Sequence, residues 1–292
     1  MGRLIGVLAT EQITCGLVED HELTGPLRSF PEENTGLEDD LLGGMPAEGI
    51  AESISREIAA LATGLTVEAI GVAVPGINRV GVIEESPNLQ HLAGINLQAM
   101  IQAPAPLFLF NDGDVMAAGI AAARGQLDRL IRVWTLGNGV GFGRYPWTEG
   151  AWEGGHSVVS LDTKERFCGC GGVGHLEGIL GQRAIRLRFL DLEPEEVFEN
   201  AASGDARCLA FYKLAHRALA AATATSIHME GPGKFFITGP NARYIDLSLL
   251  NLYLGEMVKM SALQGSLFEL ISTNREIGVI GAAVNAERAL GK

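Results

Sequence analysis

The chain has 292 residues, 47% of them hydrophobic and 20% charged, with 35 acidic against 22 basic side chains for a formal net charge of −13. This length and apolar content support a large core in one large domain or two. The charge argues against nucleic acid or an anionic membrane surface as partner, since either meets a repulsive field, but not against a nucleotide held by local N–H groups and magnesium.

Leu4–Ala9 and Ile13–Val18 predict two strands around a short turn. The acidic, glycine-rich stretch Glu32–Gly49 reads as an exposed excursion. Glu48–Ala62 has a helical apolar period through Ile50, Ile54, Ile58 and Leu61. Ala69–Val74, Val80–Glu84 and Pro106–Phe110 predict strands, Val115–Arg124 an alanine-rich helix, and Arg132–Leu136 a strand running into Gly137-Asn-Gly-Val-Gly-Phe-Gly143. Helices follow over Gly181–Leu190, Pro194–Ala201 and Asp205–His228. Then come a strand over Lys234–Thr238 and helices over Ile245–Val258 and Gly278–Ala289. Short apolar strands alternating with helices mean α/β architecture. The start, Met-Gly-Arg-Leu-Ile-Gly-Val-Leu, lacks a signal-peptide pattern, and no run is long enough to span a bilayer. Two of the four cysteines, Cys15 and Cys208, stand alone in apolar segments, which fits a reducing compartment. A soluble cytoplasmic protein is expected.

Between strand and helix lies the densest chemistry: Glu153-Gly-Gly-His156, then Cys168-Gly-Cys170-Gly-Gly-Val-Gly-His175-Leu-Glu177. Thiolate and imidazole are ligands of tetrahedral zinc, and His156, Cys168, Cys170 and His175 make a closed set of four. The glycines among them let a short backbone fold tightly around an ion. The competing reading is two unliganded thiols and two ordinary histidines. Glu153 and Glu177 exceed the ion's needs and are available to a polyhydroxylated ligand. Predicted strands end at Pro75-Gly76, Asn111-Asp112, Gly137-Asn-Gly and Gly239-Pro240. In open α/β folds ligands bind at such carboxyl ends, although each alone is also an ordinary turn. Asp112 is equally placed to cap the following helix.

In order, Leu4-Ile-Gly-Val, Val74-Pro-Gly76, Ser86-Pro-Asn-Leu89, Asn111-Asp112, Leu136-Gly-Asn-Gly-Val-Gly, the Cys/His knuckle and Ile277-Gly-Val-Ile-Gly-Ala-Ala283 resemble the ROK family of sugar kinases and sugar-sensing repressors. His175 stands where that family has its third cysteine. The resemblance implies an actin-like (ribonuclease H-like) two-domain sugar kinase fold with a small zinc knuckle over 153–177. It places residues 1–113 plus 281–292 in a small α/β domain and 114–280 in a large one, with sugar and nucleotide in the cleft between. It makes Asp112 the general base and gives Gly76, Asn88, Asn111, Asp112, Glu153, His156 and Glu177 to a hexose or N-acetylhexosamine. Sugar choice would depend on loop shape around Gly76, Asn88 and Trp152. Structural Zn2+ would be bound by His156, Cys168, Cys170 and His175. A homodimer is the family's frequent state, and no nucleic-acid or membrane partner is implied. A transcriptional repressor is not expected, because the first strand begins at Leu4 with no helix-turn-helix before it.

The nucleotide half departs from that pattern. ATP with Mg2+ is implied at Thr10, Gly137, Asn138, Gly139 and Gly239. Yet the family's Asp-x-Gly-Gly-Thr turn is here Leu8-Ala-Thr-Glu-Gln12, one residue shorter and without its aspartate or glycines. Pro240 also removes an N–H donor beside Gly239. Gly137–Gly143 suits either phosphate or a tight strand-to-strand turn. The expected function is therefore an ATP-dependent, glucokinase-like hexose kinase, with a catalytically inactive sugar sensor as the alternative.

Overall fold

The computed structural model describes residues 2–31, 42–86, 88–148, 150, 153–272 and 274–291. Most of the expected acidic excursion, residues 32–41, and Trp152 lie outside them. The chain divides into two compact units. The first comprises Met1–Ile131, Gly143–Ala151 and Asn274–Lys292, and the second Arg132–Phe142 and Trp152–Thr273. This differs from the expected boundaries at 113 and 281, because the helix after residue 113 and the whole terminal helix pack on each other inside the first unit.

The first unit is built on β1 (Arg3–Ala9), β2 (Ile13–Glu19), β3 (Glu22–Leu23), β4 (Arg28–Phe30), β5 (Val67–Val74) and β8 (Leu107–Asn111). They form one sheet in the order β3-β2-β1-β5-β8, with β4 also on β2. β1 pairs antiparallel with β2 and parallel with β5, which pairs parallel with β8. Helix α1 (Ala47–Ala62) packs with Ile5, Val7, Ile70 and Val72, burying Ile50, Ile54 and Ile58 completely. Leu4, Leu8, Ala69 and Ala73 alternate with these and meet α3 (Asp112–Ala123) and α9 (Arg275–Ala289) instead. Burial on both faces explains why β1 and β5 read as continuous apolar runs rather than alternating ones. Such a side chain contributes about 1.5–3 kcal/mol when fully buried. The α3–α9 contact is unusually close: a Cβ on Gly281 would lie 1.7 Å from the Val115 carbonyl oxygen.

Two expectations need correction here. Val80–Glu84 is not one strand: β6 (Ile77–Arg79) and β7 (Val82–Glu85) form an antiparallel hairpin whose two-residue loop is Val80-Gly81. Both have positive φ, +50° and +80°, and Val80 is 80% exposed. That geometry suits the right-handed twist of a hairpin despite the β-branched side chain. The alanine-rich helix also starts earlier than expected. α3 begins at Asp112, and its cap is Asn111, whose Oδ1 accepts from Gly113 N–H at 2.7 Å. Asp112 is thus the first helical residue rather than the cap.

A second sheet comprises β9 (Ile131–Leu136), β10 (Val140–Tyr145), β11 (Lys234–Thr238) and β12 (Leu267–Leu270), in the order β10-β9-β11-β12, and all of it except Ile131 and Gly143–Tyr145 falls in the second unit. The helices of that unit are α4 (Glu177–Leu180), α5 (Gln182–Arg188), α6 (Pro194–Ala202), α7 (Ala206–Glu230) and α8 (Leu247–Met257). A short α2 (Leu97–Met100) belongs to the first unit. Trp134, Leu136, Phe235 and Ile237 from the sheet pack with Phe211, Leu219 and Ile227 of α7 and Leu250 of α8. Buried Trp134 satisfies its indole N–H on Thr223 Oγ1 at 3.1 Å. Among the described residues, no helix is long and apolar enough to cross a membrane.

Candidate functional site

In the first unit, the carboxyl end of β8 delivers Asn111 and Asp112, both half-buried. While its Oδ1 caps α3, Asn111 Nδ2 donates to the Gly76 carbonyl oxygen at 2.8 Å. One N–H and one lone pair of this amide remain for a ligand. Gly76 has φ +107°, and a Cβ there would come within 2.1 Å of the Glu85 carbonyl oxygen, so the turn requires glycine. Buried Ser86 fixes the neighbouring loop: its Oγ donates to Pro75 O at 2.8 Å and accepts from Leu89 N–H at 3.2 Å. Asn88 is exposed between them. Asp112 puts its carboxylate in the first turn of a twelve-residue helix, where the helix dipole favours negative charge.

Thr10 lies in the same unit, in the loop between β1 and β2. With Ala9 paired to Ile13, this loop is only Thr10-Glu11-Gln12. Thr10 N–H is taken by Gln12 O at 3.2 Å, and Glu11 O accepts from Leu42 N–H at 3.1 Å. Its single carboxylate, on exposed Glu11, is compatible with Mg2+, which is commonly held by one or two carboxylates and substrate phosphates.

The second unit holds the remaining residues. Glu153 is exposed and precedes the short turn Gly154–His156, with its carbonyl accepting from His156 N–H at 3.0 Å. The four candidate ligands converge. Nδ1 of His156, Sγ of Cys168, Sγ of Cys170 and Nδ1 of His175 all lie within 4.8 Å of one another. The two imidazole nitrogens are 3.3 Å apart and the two sulfurs 3.4 Å. Cys170 is 3.4 Å from His156 and 3.3 Å from His175, and Cys168 is 3.4 Å from His156. Zinc bonds of about 2.0–2.1 Å to nitrogen and about 2.3 Å to sulfur would give tetrahedral edges of roughly 3.3–3.8 Å. Five of the six donor separations therefore match a four-coordinate zinc, and the sixth, Cys168 to His175, is within 4.8 Å. Burial above all pushes the Cys168 thiol up to about 12, and the neighbouring Glu177 adds to the rise. Burial, with His156 second, lowers His175 from its ordinary 6.5.

Glu177 joins the knuckle to the β9–β10 turn. Its Oε1 accepts from Cys168 Sγ at 3.4 Å and its Oε2 from Val140 N–H at 3.1 Å. Gly137-Asn138-Gly139 is a tight turn, closed by Gly137 N–H donating to Gly139 O at 3.0 Å. Its carbonyls accept from the start of α5, Gln182 N–H to Gly137 O at 3.0 Å and Arg183 N–H to Asn138 O at 3.4 Å. Gly239, with φ +95°, ends β11 before the turn Pro240–Tyr244. Buried Asn241 accepts from Gln182 Nε2 at 3.0 Å, a tie between the two glycine turns that sequence reading missed. Its only signal was an amide two residues after Gly239, too weak to act on.

Gly76, Asn111 and Asp112 are thus assembled within the first unit, with Asn88 on the neighbouring loop and Thr10 on a separate loop of that unit. His156, Cys168, Cys170, His175 and Glu177 are assembled within the second, next to Gly137–Gly139. A family model described as "ROK family" matches residues 38–286. A glucokinase of Pyrobaculum calidifontis is 28% identical over 198 residues, spanning 63% of this chain and 66% of that relative, a little under two thirds of its length. The crystal structure of a ROK hexokinase from Thermus thermophilus superposes with TM-score 0.79 at 21% identity, covering 99% of both chains. A ROK family glucokinase from Streptomyces griseus, solved with glucose and AMPPNP, superposes with TM-score 0.67 at 21% identity, over 98% of this chain and 100% of that one. These structures share the α/β fold of this chain.

Proposed function

Because this chain belongs to the ROK family, we propose that it is a sugar kinase that transfers the γ-phosphoryl group of ATP to a hydroxyl of a hexose or N-acetylhexosamine. The observation that carries this reading is the β8–α3 junction, where Asn111 is locked to Gly76 and Gly113 and so fixes the backbone from which the Asp112 side chain projects. In the proposed reaction the sugar hydroxyl oxygen forms the new bond to phosphorus. Asp112 takes the hydroxyl proton, and the bond to the β-phosphate oxygen breaks to release ADP. Asn111, Asn88, Glu153, His156 and Glu177 would hold the other hydroxyls, a mixture of carboxylate, amide and imidazole suited to a polyol. Gly137, Asn138, Gly139, Gly239 and Thr10 would lie nearest the nucleotide. Zinc, when bound, would fix the rings of His156 and His175, and so their orientation toward a ligand.

The loop between β1 and β2 favours a second reading. Its three residues contain no glycine, and Thr10 N–H is already used within the loop. A non-catalytic hexose-binding sensor on the same fold would tolerate that loss. Isothermal titration of the zinc-loaded protein with Mg-ATP, with and without glucose, separates the two. Binding of both, with turnover in a coupled assay, supports the kinase. Glucose binding without nucleotide binding at millimolar concentration sinks the kinase and leaves the sensor.

A further inference from the structure

The four donors of the knuckle come from a loop with little apolar core of its own, so something outside the donor set must hold them at tetrahedral spacing. Arg188, the last residue of α5, is placed to do so. Its guanidinium grips the Glu165 carboxylate with two prongs, Nη1 to Oε1 at 3.0 Å and Nη2 to Oε2. Nη2 also donates to the Gly178 carbonyl at 3.3 Å, and the guanidinium lies 4.4 Å from the centroid of the Phe167 ring. The two side chains are only 18% and 14% exposed. Glu165 in turn accepts Gly174 N–H on its backbone carbonyl at 2.7 Å.

One side chain therefore touches the residue before Cys168, the residue after Glu177 and, through Glu165, the residue before His175. An exposed ion pair would contribute little, but a two-pronged, mostly buried and ring-stacked arginine fixes geometry as well as charge. We propose that Arg188 and Glu165 form an outer clamp that presets the metal site. The clamp holds the Cys168 and His175 segments in register before the ion arrives, so binding does not have to order the loop. This inference rests on the zinc reading of the knuckle. Neither residue is a ligand; both act through the segments that carry ligands.

The test is competition for zinc between the full-length protein and a chromophoric chelator. It compares the parent with Arg188→Met, Glu165→Gln and the double variant, alongside thermal denaturation of each metal-free protein. Arg188→Met should weaken zinc about 10–100-fold, the usual loss when a residue supporting a metal ligand is removed. Glu165→Gln should shift affinity the same way by less, since glutamine keeps one acceptor. The double variant should be no worse than Arg188→Met, because the two act as one unit. A lowered melting temperature with an unchanged chelator curve would mean a merely structural pair and would overturn the clamp. Should Arg188→Met fail to fold, unchanged zinc affinity in Glu165→Gln overturns it equally. A parent that surrenders zinc without measurable competition overturns the metal reading and the clamp together.

Discussion

At the β8–α3 junction, the position of Asp112 follows from regular structure. A strand in a sheet buried on both faces ends, an asparagine caps the next helix, and that helix is pressed against α9 too closely for a side chain at Gly281. In the knuckle, residues 153–177 include only the three-residue turn Gly154–His156 and the first residue of α4 as helix. There the Cys and His donors are placed by hydrogen bonds, two histidines, two thiols and the Arg188–Glu165 pair. The first region owes its geometry to apolar packing together with the Asn111 bonds to Gly76 and Gly113, none of which involves a ligand. The second owes it to polar contacts among four side chains spaced to hold one ion. In the proposed function, the chemistry that demands a rigid carboxylate falls to the first and ligand-dependent organisation to the second.

The largest effect should come from Asp112→Asn. It removes the proposed base without altering the packing of α3, so a coupled assay should show kcat about 10²–10⁴-fold lower, with glucose affinity kept in a parallel titration. Parent-like turnover would remove Asp112 from the mechanism. Gly281→Val should break the packed region selectively. The added side chain must push α9 from α3, costing about 3 kcal/mol in urea unfolding, while the chelator curve of the knuckle stays as in the parent. A loss of zinc affinity in this variant would show that the two regions are not independent. Asn111→Ala removes a helix cap and the tie to Gly76. It should cost about 1 kcal/mol of stability, and kcat should fall by more than that alone explains if the amide also aims Asp112.

The smallest effect is a pH dependence in the core behind neither region. Fully buried His216 donates from Nδ1 to Tyr212 O and accepts on Nε2 from Asp246 N–H, each at 2.8 Å, with the tautomer assigned from these partners. Burial holds its pKa below the ordinary 6.5. In the unfolded chain it takes up a proton near 6.5, whereas the folded protein does so only at lower pH. The unfolded state therefore binds more protons in that window. The stabilisation is complete above 6.5 and is lost as pH falls through 6.5 toward the folded value. The urea midpoint should fall correspondingly, and His216→Gln should flatten this component. An equally steep profile in the variant would exclude His216 as its source.

Where short-range pattern carries the information, the sequence was readable. The apolar runs of β1 and β5, the 3.6-residue period of α1 and the Cys/His donor set all appeared as expected, the donors within 4.8 Å of one another. The Val80-Gly81 hairpin was not readable, since β-branched valine argues for strand and only tertiary structure holds it at positive φ. Nor was the assignment of the cap, for Asn111 and Asp112 are equally good cap residues. Only the bond from Asn111 to Gly76, 35 residues earlier, places one of them there.

By itself, then, the amino-acid order determined the α/β class, the family and the chemical types gathered along the chain, because periodicity, turn residues and ligand spacing are properties of neighbours. The tertiary structure alone decided which neighbours those residues finally have. Glu177 reaches Val140 across 37 positions and Arg188 reaches Glu165 across 23. Contacts at such separations depend on how helices and loops pack, which no local pattern encodes.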